Sequence, residues 1–104
     1  MYILNETSLK VYNKLPSSVQ KQISQNQAEL QKICCIECGL KYSDITSGYR
    51  SVAYNNTLPG AKTDSNHIFG AALDFARNID FKPLLGDKRI NVIIEKKCIH
   101  VELV

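Results

Sequence analysis

Ser65-Asn66-His67-Ile68-Phe69-Gly70-Ala71-Ala72-Leu73-Asp74 ends on a carboxylate set inside an apolar run, which continues as Phe75-Ala76. Residues 71–76 are small or apolar and read as a buried strand. A carboxylate in such a strand is costly unless it is paired or bound to a metal. Gly70 and the alanines after it let the backbone pack closely around the turn. His67 opens the stretch. The only other histidine is His100. It sits in a segment, Cys98 to Val104, where Ile99, Val101 and Leu103 alternate with Cys98, His100 and Glu102. That period of two predicts a strand with one apolar and one polar face, His100 on the polar one.

Working outward, Ile90 to Ile94 reads as a further strand. A hairpin turning at Lys96-Lys97 sets Ile93 opposite His100 and Glu95 opposite Cys98, because directly paired residues share a face. Glu95 is then a diagonal neighbour of His100, about 7–8 Å away between Cα atoms. Lys-Lys is a poor choice for the positive φ angles of a tight two-residue turn. Upstream, Pro16 to Cys38 reads as a long amphipathic helix, with Val19, Ile23, Leu30 and Cys34 as a core-facing stripe and Gly39 as its stop. Tyr42 to Ser47 reads as a short strand ending at Gly48. Val52 to Asn56 reads as a helical turn, residues 55–66 as a loop, and Ile79 to Arg89, with Pro83 and Gly86, as an irregular connection. The fold class is α+β: a long N-terminal helix against a small, mainly antiparallel sheet.

The 104 residues suit a single domain, 1–104. A net charge of +3 is too mild to indicate nucleic acid and suits an anionic wall polymer. No apolar run approaches the ~20 residues of a transmembrane helix. Met1 to Lys14 lacks the basic start and apolar stretch of a signal peptide, so synthesis in the cytoplasm is expected. Of the four cysteines, Cys34, Cys35 and Cys38 fall on the long helix and Cys98 on the last strand. Their spacing is not that of a structural zinc knuckle, and free thiols are expected.

Two histidines and one aspartate have the composition of an open catalytic zinc site. Ser47-Gly48-Tyr49-Arg50-Ser51, then Asn55 and Gly60-Ala61, then Ser65 to Asp74, and finally Ile99-His100-Val101-Glu102 resemble the core of the zinc D-Ala-D-Ala carboxypeptidases. Relatives of that family include phage L-alanyl-D-glutamate endopeptidases. The pattern is S-G-[YF]-R-S, a gap of roughly fifteen residues, S-x-H-x-x-G-x-A-x-D, and a terminal strand carrying the second histidine. The resemblance spans about Ile45 to Leu103. It implies the hedgehog/DD-peptidase fold and His67, Asp74 and His100 as zinc ligands. It implies Arg50 as the residue that meets a substrate carboxylate and Ser65 as a hydrogen-bonding partner beside the ligands. The substrate it implies is a peptidoglycan stem peptide, hydrolysed by a monomeric phage or prophage lysis enzyme. That enzyme acts on the wall after release, or is carried in a virion. The sequence departs from the family at one place. Its best-known members carry the catalytic base as E-x-x-H, and Lys97 stands there. Small phage-type relatives place a glutamate at the end of the preceding strand, matched by Glu95, with Glu102 as reserve. The alternative reading is a catalytically degenerate zinc-binding member, a virion structural or wall-binding module.

Overall fold

A computed structural model describes residues 5–104. The first four residues of the segment read above for a leader lie outside the described residues. Helix α1, Glu6–Lys14, was not anticipated; it carries local start and stop signals rather than a long apolar stripe. Asn5 caps it by accepting from the Ser8 N–H at 2.7 Å, Glu6 lies in its first turn and Lys14 in its last. Helix α2 is Ser17–Gln31, with Pro16 at its N-cap. It runs on into a π-helical turn, Lys32–Glu37, where the predicted helix is uniformly α. The wider turn shows in the Cys38 N–H, which donates to the Ile33 carbonyl at 3.0 Å. Gly39, at φ 79°, ends the helix in the left-handed region, as the sequence indicates.

The strands are β1 (Ile45–Ser47), β2 (Ala72–Ala76), β3 (Ile90–Ile94) and β4 (Cys98–Leu103). They form one antiparallel sheet in the order β1-β2-β4-β3. Tyr42–Asp44, read as part of the first strand, is a 3-10 turn instead. Helix α3, Val52–Asn55, and the 3-10 turn Asn66–Phe69 lie between β1 and β2.

The two faces of the sheet do different work. Leu73 and Phe75 of β2, with Ile99 and Val101 of β4, are fully buried against Leu30, Ile33 and Cys34 of the long helix. Each such side chain contributes roughly 1.5–3 kcal/mol by burial. On the opposite face Asp74 pairs with His100, and Ile93 with His100 from the other side. The hairpin register matches the one read from parity. The Glu95 N–H donates to the Cys98 carbonyl at 3.0 Å. No non-glycine residue among those described has positive φ, so the Lys96-Lys97 turn forms without it. Val19 departs from the predicted stripe. It is 41% exposed, whereas Ile23, Leu30 and Cys34 are buried. Val19 lines an apolar surface groove with Val11, Leu15 and Phe69.

A bulge in β1 decides where the Arg50 segment goes. Ile45 pairs with Phe75 and Ser47 with Asp74, so two steps on β1 match one on β2. Ile45 therefore enters the core while Ser47, two residues on, turns to the Asp74 face. The segment that follows is braced by both helices. Gln27 of α2, fully buried, accepts from the Tyr49 N–H at 2.9 Å. Ser8 of α1 accepts from the Ser51 N–H at 2.9 Å.

Candidate metal centre

His67 sits in the 3-10 turn Asn66–Phe69. Ser65 caps that turn, its Oγ accepting from the His67 N–H at 3.3 Å. Gly70 closes it at φ 70°. The Arg50 N–H donates to the His67 carbonyl at 3.0 Å, joining the two motif blocks directly. His67 is 1% exposed, and its Nδ1 lies 2.8 Å from the Gly48 carbonyl. A carbonyl only accepts, so Nδ1 carries the proton. Nε2 is then a lone pair. It is buried, has no hydrogen-bond partner, and lies 3.2 Å from Asp74 Oδ1. A lone pair facing a carboxylate oxygen in a buried site is satisfied by a proton or a cation between them.

His100 presents Nδ1 to the same oxygen, 2.8 Å from Asp74 Oδ1. One donor atom each from His67, Asp74 and His100 lies within 4.8 Å of the others. The N, O, N donor set is that of open zinc sites. Burial pushes the Asp74 carboxyl up, but the His100 hydrogen bond and both neighbouring rings outweigh it and hold it well below the usual carboxylate range. Burial also pushes His100 down, but its contacts with Asp74 and Glu102 outweigh that and raise it.

Arg50 meets the other oxygen of Asp74, Nη2 to Oδ2 at 3.0 Å. Its Nε donates to Ser47 Oγ at 3.1 Å and its Nη1 to Asn55 Oδ1 at 3.4 Å. Sequence reasoning missed this clamp on the ligand. Asn55 is itself buried and donates to the Lys62 carbonyl at 2.7 Å, which holds the loop against the site. Glu95 Oε1 lies 3.7 Å from His100 Nδ1, and its side chain is 52% exposed. Glu102 Oε1 lies 2.8 Å from His100 Nε2, on the far side of the ring. Lys97 is exposed in the hairpin turn.

Cys98 neighbours this site. It shares the His100 face by alternation, and donor atoms of Asp74, Glu95 and Cys98 fall within 4.8 Å of one another. Burial first, and then the Asp74 and Glu95 carboxylates, push its thiol up to about 11. The other three cysteines lie in the π-helical turn and its C-cap. Burial pushes Cys34 up to about 12. All four are free.

The site opens into a cleft of about 580 Å³ lined by Arg50, Lys62, Asp64, Ser65, Ile93 and Glu95 together with the three candidate ligands. A family model described as Peptidase M15 matches residues 17–91, well over half of the chain. The chain belongs to the peptidase M15 family. Its α+β architecture is accordingly the hedgehog/DD-peptidase fold. The match takes in Arg50, His67 and Asp74 and stops before Glu95 and His100. The place of those two in this M15 peptidase rests on the pairing of β4 with β2 and β3. No curated protein and no solved structure matches the chain. No helix among the described residues is long and apolar enough to cross a membrane.

Proposed function

We propose that this M15 peptidase is a zinc enzyme that hydrolyses D-amino-acid-containing peptide bonds of peptidoglycan. It is of the D-Ala-D-Ala carboxypeptidase or L-Ala-D-Glu endopeptidase type. The observation that carries the reading is the orphaned, buried Nε2 of His67 facing Asp74 Oδ1. His67 Nε2, Asp74 Oδ1 and His100 Nδ1 would hold the ion. When bound, zinc supplies an acidified water and a positive charge that stabilises a developing oxyanion. The protein's residues do the rest. Glu95 receives the proton at Oε1 and returns it to the leaving amine. Arg50 uses three of its five N–H donors on Asp74, Ser47 and Asn55. One N–H remains on each terminal nitrogen, the pair that a substrate carboxylate takes bidentately. Ser65 orients His67 through its backbone and borders the bound peptide.

Reconstituted protein should hold close to one zinc and release D-amino-acid products from purified stem peptides, with both lost on chelation. His67→Ala should lose the zinc outright. Elemental analysis with no metal after reconstitution would refute the site. Arg50→Lys keeps the charge and loses the fork. It should lower turnover about 10- to 150-fold, the equivalent of about 1.5–3 kcal/mol for one charge-assisted bond. The loss should shrink on a substrate with an amidated terminus. An equal loss on both, with weaker zinc binding, would assign Arg50 to Asp74 alone.

A second reading keeps the zinc and drops the chemistry: a wall-binding or virion module. Lys97 at the usual base position favours it. Zinc-loaded wild type that binds wall material but cleaves no stem peptide would establish it. The biological setting we propose is phage or prophage lysis, with the protein made in the cytoplasm and meeting the wall after release or from a virion. Its support is the resemblance to the small phage endopeptidases.

A further inference from the structure

Two hydrogen bonds meet on the Glu102 carboxylate, and neither belongs to the reaction assigned above. Its Oε1 lies 2.8 Å from His100 Nε2. Its Oε2 accepts from Asn66 Nδ2 at 2.9 Å. The side chain is 21% exposed, against 52% for Glu95. An ionised carboxylate can only accept, so the ring nitrogen facing it carries a proton. By the same rule Nδ1, 2.8 Å from the ionised Asp74 Oδ1, also has a proton to give; an ion held at Nδ1 would take that proton's place, while Glu102 keeps the one on Nε2. His67 is arranged the other way round, with Nδ1–H on the Gly48 carbonyl and Nε2 offered to the same oxygen. The two rings are turned opposite ways, each held through one nitrogen by the partner behind it, and their other nitrogens converge on one carboxylate oxygen.

We propose that Glu102, held in place by Asn66, is a positioning residue that fixes His100 in its Nε2–H tautomer and so selects Nδ1 as the metal-binding nitrogen. This rests on the metal reading above. Asn66 directly precedes His67. One 3-10 turn thus supplies the first ligand and braces the second, tying residues 36 positions apart. The arrangement also removes Glu102 from the reserve list for the base. Both of its oxygens are engaged, one of them behind the ring.

The test is zinc affinity by chelator competition, together with the nitrogen resonances of His100 in zinc-loaded protein. Glu102→Ala should weaken zinc about 10- to 100-fold, the usual effect of losing such a partner. Glu102→Gln retains an oxygen that accepts from Nε2–H and should recover most of that loss. Asn66→Ala should fall between wild type and Glu102→Ala. The wild-type spectrum should show His100 protonated on Nε2. A wild-type His100 protonated on Nδ1 overturns the inference, whether or not any variant folds. So does unchanged affinity in Glu102→Ala, or a Glu102→Gln variant as weak as Glu102→Ala. Wild type without zinc affinity overturns the metal reading as well, and is told apart because the failure then precedes any substitution.

Discussion

Glu95→Gln is expected to slow stem-peptide hydrolysis by about 10²–10⁴-fold while zinc stays bound. The substitution keeps shape and removes the ability to take a proton. Three structural facts support so large an effect. Glu95 continues β3 in register with β4, so it shares the face of His100. Its Oε1 lies 3.7 Å from the His100 nitrogen that faces Asp74, close to the candidate metal without contributing to the His67–Asp74–His100 set. It also lines the cleft and is half exposed, so water and substrate reach it. Lys97, at the family's usual base position, is exposed in the turn. Single-turnover rates of wild type, Glu95→Gln and Glu102→Gln should be compared at saturating zinc. A Glu95→Gln rate within a few-fold of wild type would remove Glu95 from the chemistry.

Gly70→Ala is expected to destabilise the fold by about 2–5 kcal/mol. Gly70 adopts φ 70°, where an L side chain costs roughly 1–2 kcal/mol. A Cβ there would also stand 2.5 Å from the Ile23 carbonyl oxygen and 2.9 Å from its Cγ2. The first atom is helix backbone and cannot swing aside, so overpacking adds a further ~1–3 kcal/mol. Gly39 is the internal control. It has φ 79°, and nothing lies within 4 Å of an added Cβ. Gly39→Ala should therefore cost only the conformational part. Urea midpoints at constant slope measure both. Equal losses in the two variants would mean that the Ile23 contact yields. The contact matters for function because Gly70 closes the turn that carries His67 and leads into the strand that carries Asp74.

Much of the candidate site was legible because strands alternate. That alternation put His100, Cys98 and Glu102 on one face before any partner was known. Parity then placed Glu95 with them, and the pairing of Ile93 with His100 agrees. Asp74 stood out as a carboxylate that its own strand could not pay for. Helix and strand periods are local properties, visible within a few residues. Helix α1 was not legible in the same way: capping residues mark it, but its burial is concentrated at Ser8 and depends on Ser51, far along the chain. Val19 fits the apolar stripe of α2, yet it faces a surface groove shared with Val11, Leu15 and Phe69 and stays exposed.

What the sequence by itself determined is the face and the chemistry of each donor: two imidazoles and a carboxylate on the polar side of an antiparallel sheet whose other side is core. What only the tertiary structure decided is which atom of each donor is free. The bulge in β1 turns Ser47 and Arg50 towards Asp74 Oδ2 and leaves Oδ1 for the rings. The Gly48 carbonyl and Glu102 each claim one ring nitrogen and release the other. Apart from Glu102, two residues from His100 on the same strand, these partners lie 19 to 26 residues apart, and hydrogen bonds hold only within a few tenths of an ångström. No local pattern encodes such distances. They exist only once the strands have paired and the helix has packed.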